Sequence, residues 1–193
     1  MQKKRLVRGS VTWFGRSLFF SLLALLFWWQ GSATYAAPDS ESCATSSESR
    51  QFDFWLGEWS VSYPGAPDAS SSTVSLELGK CVVIENWTGG RNHQGINVFA
   101  YSADDQHWHG LFADNEGRVH VFEGRVTAGS AEFVGPSRGP NAETVLNRIR
   151  VVRQGPNRVE QSWEKSSDNG ATWSTVFRGE YSRKSKGSSN PGR

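Results

Sequence analysis

Three histidines stand close together in this chain. His107 and His109 alternate along one segment, and His120 follows on the next. Two imidazoles at i and i+2 of a strand point the same way. A third from a neighbouring strand would complete a three-histidine metal site. The intervening DNEG, residues 114–117, decides the matter. It suits a type I turn followed by a left-handed glycine, which sets Asp114 opposite Arg118. On that register Trp108, Gly110, Phe112, His120, Phe122 and Gly124 share one face, taken as the interior. His107, His109, Leu111, Val119, Val121, Glu123 and Arg125 share the other. His120 is then parted from the pair and becomes the polar group among inward aromatics. A tighter two-residue turn would reverse this and restore the metal site.

Glu85 is the second group able to do chemistry. In KCVVIENW, residues 80–87, Cys81, Val83, Glu85 and Trp87 project one way and Val82, Ile84 and Asn86 the other. Apolar residues on both faces predict a strand covered on both sides. If Trp87 points inward, so does Glu85. A buried carboxylate needs a partner, and Arg125, Arg148 and Arg150 are the candidates. Such a pair is structural or, inside a cavity, an acid–base group.

A third constellation is SSDNGATW, residues 166–173, which matches S-x-D-x-G-x-T-W and resembles the Asp-box hairpin of sialidase-like propellers. Asp168 caps the turn through backbone N–H groups, Gly170 supplies the unusual dihedral, and Trp173 packs over the corner. Propellers need one copy per blade. A single copy here is a turn device and evidence for neither sialidase activity nor glycan binding. Asn86-Trp87-Thr88 forms a glycosylation sequon, but within an expected strand. No Ser sits in a G-x-S-x-G elbow, and no Gly-rich phosphate loop precedes a helix. The sequence calls for no cofactor.

The elements that must position these groups are strands. No segment of the domain keeps a 3.6-residue period. Short alternating runs recur instead, near 57–63, 72–78, 80–88, 95–102, 106–114, 118–126, 130–135, 143–153, 157–166 and 172–183. The segments between them include SADDQ, DNEG, TAGS, GPSRGPNAE, QGPN and SSDNGAT, each with the Gly, Asn, Asp or Pro that turns require. About ten sequential strands with mostly short turns predict an all-β, antiparallel up-and-down barrel of about 8–10 strands. Closure of the barrel removes exposed edges.

The ends of the chain bear on where it works. Lys3, Lys4, Arg5, Arg8 and Arg16 precede LFFSLLALLFWW, residues 18–29, and small residues follow. This is the pattern of a signal peptide over 1–36, cut between Ala36 and Ala37. An uncleaved anchor is the alternative, although the run is short for a span. Residues 37–50 are a polar lead-in, 51–183 the barrel domain, and the Gly/Ser-rich 184–193 a disordered tail. The chain has 21 Lys+Arg and 19 Asp+Glu. Without its leader it keeps 16 basic against 19 acidic residues, a formal charge of −3. That balance gives no footprint for nucleic acid or an anionic membrane surface. After cleavage no stable membrane span is expected, and the destination is periplasmic or extracellular. Export allows a disulfide between Cys43 and Cys81; the alternative is two free thiols.

The order of motifs adds a resemblance. FDFWLGEWSV opens the domain; GKCVVIENWTGG, GINVFAY and WHGLFADNEG follow; SWEKSSDNGATWSTVFRGEYSRK closes it. The series, covering Phe52 to Lys184, resembles a family of uncharacterised exported bacterial proteins with an FDFWLG-x-W opening and a D-x-G-x-T-W hairpin near the end. The resemblance implies a lipocalin-like (calycin) barrel and no named activity. It implies that Gly57-Glu58-Trp59 is the G-x-W element of such barrels, with Trp59 plugging the closed end and Phe52, Phe54 and Trp55 leading in. Where the family carries a polar residue and a Trp, this chain has Gly110 and Phe112, a departure that reshapes any cavity. Related haem-binding barrels use a histidine near the C-terminus, and none follows His120.

The expected function is therefore binding of a small hydrophobic or aromatic ligand. Trp59, Glu85, Trp87, Asn97, Trp108, Phe112, His120, Phe122 and Trp163 are the cavity candidates. Two alternatives stand beside it. One is a filled-core envelope protein acting through loops such as GPSRGPNAE, residues 135–143. The other is an enzyme using Glu85 or His120 as acid or base.

Overall fold

A computed structural model describes residues 42–65 and 70–185. The expected leader, lead-in residues 37–41 and tail residues 186–193 lie outside the described residues. Ten strands follow one another: β1 (Gly57–Ser62), β2 (Ser70–Glu77), β3 (Val82–Thr88), β4 (Gln94–Ser102), β5 (His107–Asp114), β6 (Val119–Thr127), β7 (Ser130–Arg138), β8 (Thr144–Gly155), β9 (Arg158–Ser166) and β10 (Ser174–Arg183). Each pairs antiparallel with its sequence neighbours, and β1 pairs with β10 to close the barrel. Alternation along each strand sorts side chains inward and outward. In β5 and β6 the inward set is Trp108, Gly110, Phe112, His120, Phe122 and Gly124, with Phe112 opposite His120 and Gly110 opposite Phe122. Gly117 at φ +83° supplies the expected bulge.

One end of the barrel is filled. The 3-10 turn Asp53–Trp55 carries Phe54 and Trp55 inward. Phe52, fully buried, meets Trp55 at 5.2 Å, Phe99 at 5.4 Å and Trp108 at 5.7 Å between ring centroids. Trp59 is also fully buried; its Nε1–H donates to the Trp55 carbonyl at 2.9 Å. The Arg183 guanidinium stacks over the Trp59 ring at 4.2 Å and donates to the Leu56 carbonyl at 2.8 Å. Gly57, at φ +132°, leaves room for it, because a Cβ there would collide with Arg183. A disulfide joins Cys43 to Cys81, with Cα atoms 5.2 Å apart. It staples the lead-in to the β2–β3 turn beneath this plug.

Two expectations about the strands are corrected. β7 runs through Gly135, Pro136, Ser137 and Arg138, so only 139–143 of GPSRGPNAE form the turn. Pairing with β8 continues to Arg138, opposite Thr144, whereas pairing with β6 stops at Val134. Pro136 thus lies where one side of the strand has lost its ladder, a place proline tolerates. Nor is β3 covered on both faces: Val82 and Ile84 are half-buried and Asn86 is exposed.

The β9–β10 turn is built by Asp168. Its Oδ1 accepts from the Thr172 backbone N–H at 2.9 Å and from the Ser166 hydroxyl at 2.7 Å, and its Oδ2 accepts from the Thr172 hydroxyl at 2.6 Å. These bonds hold the carboxyl at about 2. Trp173 packs beside Gly170, with the Arg148 guanidinium 4.0 Å from its ring centroid. Asp168→Ala should raise amide hydrogen exchange at Thr172 several-fold and leave the far-end β2–β3 turn unchanged. Unchanged exchange at Thr172 would refute the capping role.

Candidate ligand-binding cavity

Above the plug the barrel opens into a cavity of about 290 Å³ at the end that carries the β5–β6 and β9–β10 turns. Its wall is aromatic: Trp87, Phe112, Trp163, Phe177 and Tyr63, with Asn97 and His120 among them. The Trp163 ring stands edge-on to Phe112 at 4.8 Å and to His120 at 5.0 Å, and its Nε1–H donates to Asn147 Oδ1 at 3.1 Å. Phe177 packs on Tyr63 at 5.3 Å and on Trp87 at 6.0 Å. Such rings are held by contacts on several sides and need little reordering on binding.

The mouth is fixed by its turns. Asp114 Oδ1 accepts from the backbone N–H of Arg118 at 2.9 Å and of Glu116 at 3.1 Å. Asn115 bonds across to the β3–β4 turn, exchanging bonds with Gln94 at 3.0 Å and donating to the Asn92 carbonyl at 2.8 Å. His93, Asp114 and Glu116 lie close enough together to suggest a metal site. A cation already stands there: Arg118 donates to Asp114 Oδ2 at 2.6 Å and to Glu116 at 2.8 Å, and its Nη2 lies 2.9 Å from His93 Nε2. Burial opposes the Asp114 charge, but the bonds from the Arg118 backbone, His93 and the Arg118 guanidinium hold the carboxyl at about 2.

Lys165 also lines the mouth, two residues up β9 from Trp163. It makes no ion pair among the described residues. His120 below it is kept neutral, chiefly by burial and then by Lys165 and Arg118, which outweigh the opposing pull of Asp114. His107 and His109 point outward, with His109 bonded to Asp105 at 2.8 Å. The three histidines therefore do not converge.

Five of the expected cavity residues line it: Trp87, Asn97, Phe112, His120 and Trp163. Trp59, Trp108, Phe122 and Glu85 do not; all four are buried in the packed core beneath or behind it. Trp59 belongs to the plug. Tyr63, His93, Arg118, Lys165, Val176 and Phe177 complete the lining without having been expected. Phe177 and Val176 escape simple alternation because β10 bulges between Thr175 and Phe177.

Glu85 has no arginine partner, contrary to expectation. Arg148 pairs with Glu164 at 2.8 Å and Arg150 with Glu132 at 3.3 Å. Arg125 faces Glu132 across the outer wall. Instead Glu85, fully buried, meets Ser72 at 2.7 Å, Asn97 at 2.8 Å and Tyr181 at 3.0 Å, all neutral. Tyr181 has one proton but two acceptors, Glu85 and the Gln161 carbonyl oxygen at 2.5 Å. The Tyr181 hydroxyl is shared between them, and Gln161 adds its own side-chain hydrogen bond to Glu85. Burial raises the Glu85 pKa against the hydrogen bonds from Ser72, Asn97, Tyr181 and Gln161. Asn97 stands between this network and the cavity. Its Nδ2 is committed to Glu85 and its Oδ1 has no partner among the described residues.

Neither the family models nor the curated proteins compared with this chain match it.

Proposed function

We propose that this protein is an exported carrier or sensor barrel that binds one small, largely apolar or aromatic molecule. The observation that carries this reading is the aromatic-walled cavity of about 290 Å³ above a filled floor. Ligand sites are concave, mostly apolar and furnished with a few polar atoms, and this one offers Asn97 and His120. An engineered apolar cavity of about 150 Å³ holds benzene, so the space suits one or two rings. The Cys43–Cys81 disulfide supports an oxidising destination. Charged pairs such as Glu132–Arg150 and Arg158–Glu180 on the outer wall favour a barrel in water over one in lipid. The plugged G-x-W corner, with Trp59 over Arg183, supports kinship with lipocalin-like barrels.

The enzyme reading is weaker, because Glu85 does not line the cavity and the cations Lys165 and Arg118 flank His120. The test is titration with indole, followed by NMR. Ring signals of Phe112, Trp163 and Phe177 should move while Phe99 and Phe133 in the floor stay put. Val176→Trp, at the exposed mouth, should weaken binding at least about tenfold. No movement, or equal movement on the outer wall, would overturn the reading.

A further inference from the structure

We propose that the outer face of β3–β6 is the contact through which two copies of this chain pair in solution. The proposal goes beyond the cavity and does not depend on it.

In these four strands apolar residues stand on both sides of the wall. One row across the outside runs Ile84, Val98, Leu111 and Val121, each the direct neighbour of the next. The row nearer the mouth adds Ile96, Ala113 and Val119. Val82 and Ala100 begin the row nearer the plug. Leu111 is 40 %, Val119 61 % and Val121 60 % exposed. Pairing of β6 with β7 begins only at Glu123, so no β7 residue is laddered beside those two valines. The apolar outer positions of β3 predict a cover on that side, and none of the described residues of the same chain provides it.

The rest of the wall has a different chemistry. On β7–β10 the outward positions pair charge with charge: Arg148 with Glu164, Arg150 with Glu132, Arg158 with Glu180 and Arg178 with Glu160. Charged side chains are the usual covering of a surface kept in water. A contiguous apolar face rimmed by polar residues marks an interaction site.

Size and charge select the occupant. Four strands about 4.8 Å apart, with three outward positions about 6.8 Å apart, make a face of roughly 400 Å². A stable pair buries about 800 Å² on each partner, apolar at the centre and polar at the rim. The face supplies such a centre. The rim is already in place: Thr73 and Ser75 flank it on β2, Asn86 closes one corner, and His109 pairs with Glu123 at the plug side. The centre carries no charge, so a charged partner gains nothing there, whereas an identical face meets it without conflict. Sheets pack face to face about 10 Å apart. A two-fold axis along the strands, between β4 and β5, sets β6 of one copy on β3 of the other. Val121 then covers Ile84 and Leu111 covers Val98, in both directions.

The experiment is sedimentation velocity on the exported chain, purified without detergent, from about 1 to about 200 µM. The wild type should pass from monomer to dimer with a Kd of about 10 µM or tighter and stop at two. Val121→Arg should stay monomeric across that range, a weakening of at least about a hundredfold, because the arginine enters the interface twice. Val121 is exposed, so this variant should keep the far-UV circular dichroism of the wild type. Thr175→Arg, an exposed change on β10, should leave the dimer intact. A wild type that is monomeric at the highest concentration, association beyond two, or Val121→Arg pairing like the wild type would overturn the proposal. Loss of pairing in Thr175→Arg as well would also overturn it. So would a monomer that co-sediments with phosphatidylcholine vesicles, which would give the face to a membrane. The response of the cavity to indole is untouched by any of these results, so the two readings fail separately.

Discussion

Replacing Glu85 by alanine should lower the unfolding free energy by about 4 kcal/mol. The change empties a packed volume in the barrel core. It also strips partners from Ser72, Asn97 and Tyr181, which meet Glu85 within 3.0 Å. Glu85→Gln should behave differently. Its neutral amide can donate to Tyr181 and accept from Asn97, so it should stay within about 1 kcal/mol of the wild type at mildly acid pH. The two proteins should then part as pH rises. Glu85 has a folded pKa above its ordinary 4.5 because burial disfavours the charge. The stability linked to its proton is fully present below 4.5 and is lost as pH rises through the folded value. Glu85→Gln has no such loss and should become the more stable protein at high pH. Asp114 and Asp168 act with the opposite sign, contributing stability above 3.8 that disappears as pH falls through about 2. Urea unfolding of both proteins from about pH 4 to pH 9 stays above the Asp114 and Asp168 window and isolates that of Glu85. Parallel curves across that range would mean that Glu85 is ionised in the fold.

Loss of the disulfide should have an effect of similar size. Cys43 and Cys81 are separated by 38 in sequence. Constraining a loop of that length is worth about 4 kcal/mol in the loop-entropy account. Cys43→Ser with Cys81→Ser removes it without leaving a lone thiol. The strands close through their own ladders, from β1–β2 round to β1–β10, so the barrel should survive. The plug should suffer most, because the lead-in feeds directly into Phe52 and Trp55, both fully buried. The double variant should melt well below the wild type. Amide exchange should rise first at residues 49–56, before the β7–β8–β9 wall. A wild-type melting temperature, or uniform loosening of the whole barrel, would contradict this account.

The strands were legible because their causes are local. Alternation and turn residues lie within a dozen positions of each other, and Gly117 alone decided which way His120 faces. The plug was legible for the same reason: Phe52, Trp55, Gly57 and Trp59 form one short run. The environment of Glu85 was not. Its neighbours come from β2, β4, β9 and β10, and only the closed register brings Ser72, Asn97, Gln161 and Tyr181 together. Arginine was the reasonable partner for a charged Glu85, and the structure surrounds it instead with neutral groups. The mouth escaped for another reason. Phe177 is re-aimed by a bulge, and Tyr63 lies beyond the end of β1, held by the Gly90 N–H that donates to its hydroxyl at 3.3 Å. Lys165 shares the inward face of β9 with Trp163 by simple alternation, but no motif marks it.

The most direct test of a ligand-holding barrel is native mass spectrometry. The full chain, with its own leader, would be expressed in an exporting host and purified gently from the exported fraction. The wild type should carry a small molecule, or take up an added aromatic acid in one-to-one ratio, while Val176→Trp carries none. A wild-type mass that stays bare after incubation with small aromatic acids and neutral aromatics would contradict the account and return the search to the outer surface.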